Sequence, residues 1–121
     1  MNLIAHVEIP VLDLERAMGF YSAVFDVNFA EIVTIHDNRM AYFPFKEGED
    51  GASGALAEGE TYVPTKDGAI IYLGVKDIDA VLERALRQGG EILFPKTPVD
   101  DSLFVAEISD SEGNRIAVQS T

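Results

Sequence analysis

The chain has 121 residues, of which 47% are hydrophobic, and it carries a formal net charge of −12. This length predicts a single domain, 1–121, with enough apolar residues to form a core. The charge excludes no fold, but it argues against binding to nucleic acid or to anionic membranes, which require clustered Lys and Arg.

Cysteine is absent, so disulfides, thiolate catalysis and Cys-based zinc sites are excluded. No apolar run approaches the roughly 20 residues of a membrane-spanning helix. The first residues, MNLIAHVE, lack the basic start and apolar stretch of a signal peptide. We therefore expect a cytoplasmic protein.

The first half, about 1–60, reads as a β-α-β-β-β module, here called module one. Apolar and polar residues alternate over Leu3–Ile9, which predicts a strand with His6 and Glu8 on one face. Asp13 is the predicted N-cap of a helix whose apolar stripe runs from Leu14 to Phe25. A loop is predicted over Lys46–Ser53, and further strands over Asn28–Ile35, Arg39–Phe45 and Gly54–Ala57.

The same pattern returns 64 residues later, where Asp77 matches Asp13 and Ile78 matches Leu14. This second half, about 68–121, is module two. Its helix is predicted to be capped by Asp77 or Asp79 and to end at Gly89-Gly90, since glycine adopts left-handed angles without steric cost. A loop is predicted over Pro95–Asp101, and strands over Ala69–Val75, Glu91–Phe94, Leu103–Ser109 and Arg115–Ser120.

A single helix can cover only one face of the sheet in each module. The sequence therefore predicts an α+β fold in which two βαβββ modules form a curved, incomplete barrel-like mixed sheet. The helices lie outside, and a cup suited to a small molecule lies inside. Open strand edges and partly apolar faces favour pairing with a second copy, so we expect a homodimer.

Several motifs resemble the vicinal oxygen chelate superfamily, which includes glyoxalase I, bleomycin-resistance proteins and extradiol dioxygenases. The resemblance covers nearly the whole chain, and the order of elements agrees. The pattern of the second half is similar to a glyoxalase-related branch whose reactions are mostly unassigned. The residues that carry it are His6–Val11, Asp13–Ala17, Phe20-Tyr21, Val24-Phe25, Val75, Asp77–Asp79, Gly89-Gly90, Phe94–Thr97 and Asp110–Ile116.

The resemblance implies four cup positions that hold a divalent metal in metal-dependent members. His6 matches the first of them, but the other three fall on Ile70 and, approximately, Ala55 and Ala117, which carry no donor atom. Because a stable site needs at least three protein ligands, we expect no metal and no other cofactor. A metal site with substituted ligands such as Glu8 or Gln119 is the alternative, which this donor set disfavours.

His6 is the candidate catalytic residue, as a general base or hydrogen-bond donor on the floor of the cup. The competing interpretation is a side chain that a neighbouring carboxylate or water satisfies. The other histidine, His36, lies beside a predicted hairpin turn and is expected to be exposed. The full predicted ligand pocket is His6, Glu8, Ile70, Tyr72, Ala55, Ala117 and Gln119, and its competing interpretation is ordinary amphipathic packing.

The predicted function is that of a metal-free member of this superfamily that binds a small organic metabolite. Whether it is an enzyme stays open; an enzyme of this kind would be a glyoxalase-like lyase or isomerase, or a dioxygenase. The first alternative is a lyase or dioxygenase that depends on a divalent metal. The second is a non-catalytic protein that sequesters a drug or metabolite.

Overall fold

The computed structural model describes residues 2–120; Met1 and Thr121, the two ends of the predicted span, lie outside the described residues. Each half has the element order β-α-β-β-β, as predicted. Module one contains β1 (His6–Val11), α1 (Leu14–Phe25), β2 (Val33–Ile35), β3 (Asn38–Tyr42) and β4 (Ser53–Glu58). Module two contains β5 (Ile71–Gly74), α2 (Ile78–Arg87), β6 (Ile92–Pro98), β7 (Phe104–Ser109) and β8 (Arg115–Ser120).

Each module forms its own four-stranded mixed sheet. Sheet one has the order β1-β4-β3-β2, and sheet two has the equivalent order β5-β8-β7-β6. In both sheets the first and last strands of the module pair in parallel, and the other pairs are antiparallel. The predicted α+β fold of two βαβββ modules is thus confirmed, and the two sheets share no strand pair within residues 2–120.

Both helices begin at an aspartate in the same repeat position. The Asp13 side chain accepts a hydrogen bond from Arg16 N at 3.0 Å, and Asp77 accepts one from Ala80 N at 3.1 Å. The sequence allowed Asp77 or Asp79 as the N-cap of α2, and Asp77 is the correct one. Across residues 2–120, neither helix has the length and hydrophobicity needed to traverse a bilayer.

The core lies between the sheets and the helices and draws on both modules. On α1 the buried stripe includes Leu14, Ala17 and Tyr21, and on α2 it includes Ile78 and Val81. Burying each large apolar side chain stabilises the fold by about 1.5–3 kcal/mol relative to exposure. The packing of helix on sheet fixes which strand face is left for a ligand.

Several predicted strand boundaries are wrong, and β3, for example, ends at Tyr42 rather than at Phe45. β1 begins at His6 rather than Leu3, and β2 spans only Val33–Ile35 of the predicted Asn28–Ile35. β6 continues through the predicted loop to Pro98, with register irregularities on both sides of Phe94. β6 is an edge strand, where proline is tolerated because one side of the strand needs no backbone donor.

The turn between β7 and β8 joins module two to the start of α1. The Glu112 carboxylate, whose side chain is 0% exposed, accepts hydrogen bonds at 2.9 Å from the backbone N–H groups of both Leu12 and Asp13. It also forms an ion pair with Arg16, with Nε at 2.8 Å. Asn114 Nδ2 donates to Pro10 O at 2.8 Å. This turn therefore fixes the end of β1 relative to sheet two.

Candidate functional site

One face of sheet one carries a group of polar side chains. Strand alternation packs Val7 and Ile9 against the core and leaves His6 and Glu8 exposed on the opposite face. The parallel register of β1 and β4 sets His6 beside Ser53. We use "polar face" for the set that meets here: His6, Glu8, Tyr42, Ser53 and Tyr62.

His6 is hydrogen-bonded on one side of its ring. Its Nδ1 lies 2.7 Å from Ser53 Oγ, which in turn lies 3.2 Å from the Ala5 carbonyl oxygen. The Tyr42 ring is tilted against the imidazole, with 6.1 Å between ring centroids. Among the described residues, Nε2 has no hydrogen-bond partner, so it is the ring atom available to a ligand.

Glu8 is exposed and has one hydrogen-bond partner in the described part of the chain. The Tyr62 hydroxyl donates to Glu8 Oε1 at 2.8 Å, and this hydrogen bond raises the pKa of Tyr62. Tyr62 belongs to the segment between the two sheets, so strand periodicity could not have identified it. Ser53 was also missed, because it was predicted to end a loop rather than to begin β4.

The equivalent face of sheet two carries the predicted pocket residues of module two. Register sets Tyr72 beside Ala117, and Ala117 beside Glu107. Gln119 is exposed two residues further along β8, and Tyr72 is 50% exposed. Arg115 forms an ion pair with Glu107 at 3.3 Å, and this pair is only partly exposed, since the Glu107 side chain is 17% exposed.

Within one chain, one groove reaches residues of both faces, among them Glu8 and Tyr72. This groove, of about 1210 Å³, separates β1 from β5, but much of its lining comes from side chains that point toward the helices, including Val7, Ile9, Ile71 and Leu73. Of the predicted pocket residues, Glu8, Ile70 and Tyr72 line this groove.

The remaining predicted residues lie elsewhere. Gln119 lines a separate pocket of about 290 Å³ together with Gly74. Ala55 and Ala117 are fully buried in the middle strands of their sheets. His6 itself lines neither cavity, although its partner Ser53 lies at the edge of the groove.

The donor atoms present do not fit the divalent metal that the resemblance implies. In the part of the chain that the structure describes, one group of three acidic or histidine side chains has ligand atoms within 4.8 Å of one another: Asp13, Glu15 and Glu58. His6 is not part of it. Arg39 already binds both glutamates, with contacts of 2.7 and 2.8 Å, and its hydrogen bonds lower the pKa of Glu15 to about 2.

Comparison with known proteins agrees with the fold and with the predicted resemblance. The family model for the glyoxalase/bleomycin resistance protein/dioxygenase superfamily matches residues 3–118. A glyoxylase-like domain-containing protein of Didymella fabae is 34% identical over 118 residues, which are 95% of this chain and 91% of that protein.

Two solved structures share the fold at low identity. A glyoxylase/bleomycin resistance protein/dioxygenase domain from Frankia sp. EAN1pec has a TM-score of 0.76 at 17% identity, covering 99% of this chain and 92% of its own. The fosfomycin resistance protein FosX from Listeria monocytogenes has a TM-score of 0.70 at 15% identity, covering 100% and 94%. From the family model and the Didymella relative together, the chain belongs to the glyoxalase/bleomycin resistance protein/dioxygenase superfamily.

Proposed function

We propose that the chain binds a small organic molecule against the polar face, in a homodimer whose second copy completes the cup with its sheet two. The observation that carries this proposal is the placement of the candidate residues. His6 and Glu8 are exposed and hydrogen-bonded on sheet one, while Tyr72 and Gln119 are exposed on the equivalent face of sheet two. In one chain, Glu8 and Tyr72 line the same groove, but His6 lines neither that groove nor the cavity beside Gln119.

The strand edges support the participation of a second copy. β1 and β5 each end their sheet and pair with one neighbour only, so each presents a free backbone edge within the described residues. Free edges are sites for pairing with another chain. Large apolar side chains lie exposed beside them, with Ile70 at 43% and Tyr72 at 50%. Isologous pairing would cover both edges and set sheet two of one copy opposite sheet one of the other.

The proposed binding does not use the superfamily metal. At the cup positions other than His6, this chain has Ile70, Ala55 and Ala117, and the two alanines are fully buried. What the polar face offers instead is a set of hydrogen-bond acceptors beside aromatic rings. Such a surface suits a flat, partly apolar molecule with a few polar groups.

Native mass spectrometry of the purified protein is expected to show a dimer of the 13.2 kDa chain with no bound divalent ion. The physical reasons are the two free strand edges and the lack, within residues 2–120, of three converging ligands around His6. Added Zn²⁺, Ni²⁺ or Fe²⁺ should leave the spectrum unchanged in the wild type and in a His6→Ala variant alike. One ion per chain that is lost in His6→Ala would contradict the metal-free proposal, and a monomer at micromolar concentration would contradict the dimer.

Hybrid dimers of two variants are expected to recover the wild-type affinity that neither variant has alone. The probe is 2-naphthol, a fluorescent aromatic with one hydroxyl group. His6→Ala and Tyr72→Ala should each weaken its binding about fivefold, the factor that corresponds to about 1 kcal/mol for a lost hydrogen bond or aromatic contact.

When the two variants are unfolded together and refolded as a mixture, about half of the dimers are hybrids. Each hybrid has one cup with both substitutions and one intact cup, so about a quarter of all cups should bind with wild-type affinity. Mixing the variants without unfolding is the control and should recover nothing. If the refolded mixture also recovers nothing, each cup is built within one chain and the shared-cup proposal is wrong.

A further inference from the structure

The hydrogen bonds around Ser53 determine where the proton of His6 resides. A carbonyl oxygen can only accept, so we assign the serine hydroxyl as the donor in the 3.2 Å contact between Ser53 Oγ and Ala5 O. That use of its single proton leaves Ser53 Oγ as an acceptor toward His6 Nδ1 at 2.7 Å. The neutral imidazole must then carry its proton on Nδ1, and Nε2 has a free lone pair.

We infer that Ser53 is a positioning residue that fixes His6 in the Nδ1–H tautomer and thereby makes Nε2 a hydrogen-bond acceptor on the polar face. The arrangement is specific to module one. In module two, the repeat position of His6 is Ile70, and the repeat position of Ser53 is Arg115, two residues before Ala117. A duplicated structural contact would be expected in both modules, whereas this pair occurs in one.

This assignment defines the chemical class of the ligand, and in that respect it rests on the proposed binding function. His6 Nε2 and the Glu8 carboxylate are both acceptors, and the Tyr62 hydroxyl already donates to Glu8. A ligand that satisfies them must bring O–H or N–H donors of its own, because a buried acceptor without a partner costs binding energy. The Tyr42 ring beside the imidazole favours an aromatic body. The predicted ligand class is therefore an aromatic alcohol or amine.

The tautomer can be read by long-range ¹H–¹⁵N NMR of the imidazole rings in the free protein. The chain has two histidines, so the spectrum contains one test residue and one internal control. At about pH 8.5, well above the ordinary range of histidine titration, His6 should show the Nδ1–H pattern. His36 is exposed and should show the mixed pattern of an unconstrained ring.

Two variants separate positioning from general structural support. Ser53→Ala should leave the sheet intact but return His6 to a mixed pattern like that of His36, and Ser53→Thr should preserve Nδ1–H because it keeps the hydroxyl. Binding is compared with 2-naphthol and 2-methoxynaphthalene, which has nearly the same shape and no hydroxyl donor. The wild type and Ser53→Thr should prefer 2-naphthol about fivefold, and Ser53→Ala less than about twofold.

Each result decides a separate point. A wild-type His6 with the Nε2–H pattern, or a Ser53→Ala spectrum identical to wild type, would overturn the positioning role whether or not naphthol binds. Equal affinity of the wild type for both probes would overturn the ligand class. Since the NMR measurement uses free protein, failure of the shared cup in the hybrid-dimer experiment would leave the tautomer result unaffected.

Discussion

Replacing Asp110 with alanine is expected to lower the free energy of unfolding by about 4 kcal/mol, one of the largest effects available in this chain. Asp110 is buried at the start of the turn between β7 and β8. Its carboxylate accepts from Tyr21 Oη at 2.6 Å, Glu112 N at 2.8 Å, Asn114 N at 2.9 Å and Asn114 Nδ2 at 2.9 Å. Truncation removes the acceptor of all four. Among the described residues, only Asn114 Nδ2 keeps another partner, Pro10 O. Each buried donor left unpaired costs about 1–3 kcal/mol before the structure relaxes.

Urea denaturation at neutral pH measures this loss, and two further variants make it specific. Tyr21→Phe removes one of the four donors and should cost about 1.5 kcal/mol, in the range for a single hydrogen bond to a charged group. Asp101→Ala changes an exposed aspartate in the preceding loop and should stay within about 0.5 kcal/mol of wild type. A cost below about 1 kcal/mol for Asp110→Ala would show that the turn does not depend on this carboxylate.

The features of the fold that the sequence predicts correctly are those encoded locally. Asp13 and Asp77 cap their helices because a short acceptor there satisfies the first-turn N–H groups in any context. The length of β6 could not be predicted in the same way. Its prolines argue for a loop, and they are tolerated only because β6 is an edge strand, a property of the assembled sheet.

The same distinction between locally encoded features and features of the assembled sheet applies to the candidate site. Period-two alternation correctly sets His6 and Glu8 on one face, because it depends on β1 alone. Their partners Ser53 and Tyr62 come from segments about 50 residues away. The parallel register of β1 with β4 sets Ser53 beside His6, whereas Tyr62 lies after β4 and is not placed by that register. The contacts of the Asp110–Asn114 turn with β1 and α1 join residues about 100 positions apart and leave no periodic signal.

Glu112 is expected to make the stability of this protein depend on pH in the acid range. Burial acts to raise the pKa of this carboxyl, but the hydrogen bonds from Arg16, Ser111 and the backbone of Leu12 and Asp13 outweigh it and lower the pKa to about 2. In the unfolded chain the group titrates near its ordinary value of 4.5. The folded state therefore binds the proton more weakly than the unfolded state, and protonation favours unfolding.

The sign and size of the effect follow from these two values. The stabilisation is fully present above about pH 5, and it is lost as the pH falls from the unfolded value toward the folded one. At about 1.4 kcal/mol per pH unit, a shift from 4.5 to about 2 corresponds to about 3 kcal/mol. Glu112→Gln lacks the titrating group, so its deficit relative to wild type should be constant from about pH 8 to 5 and shrink by about 3 kcal/mol near pH 2.

Subtracting the unfolding free energy of the variant from that of the wild type at each pH cancels the contributions of the other carboxylates, which titrate in both proteins. Glu60→Gln, at an exposed glutamate, is the matched control, and its difference from wild type should stay near zero at every pH. A Glu112→Gln deficit that stays constant down to about pH 2 would mean that the carboxyl titrates alike in both states. The hydrogen bonds of Glu112 to Arg16 and to the start of α1 would then not be what stabilises the contact between the modules. The position of β1, which carries His6 and Glu8 of the polar face, would need another cause.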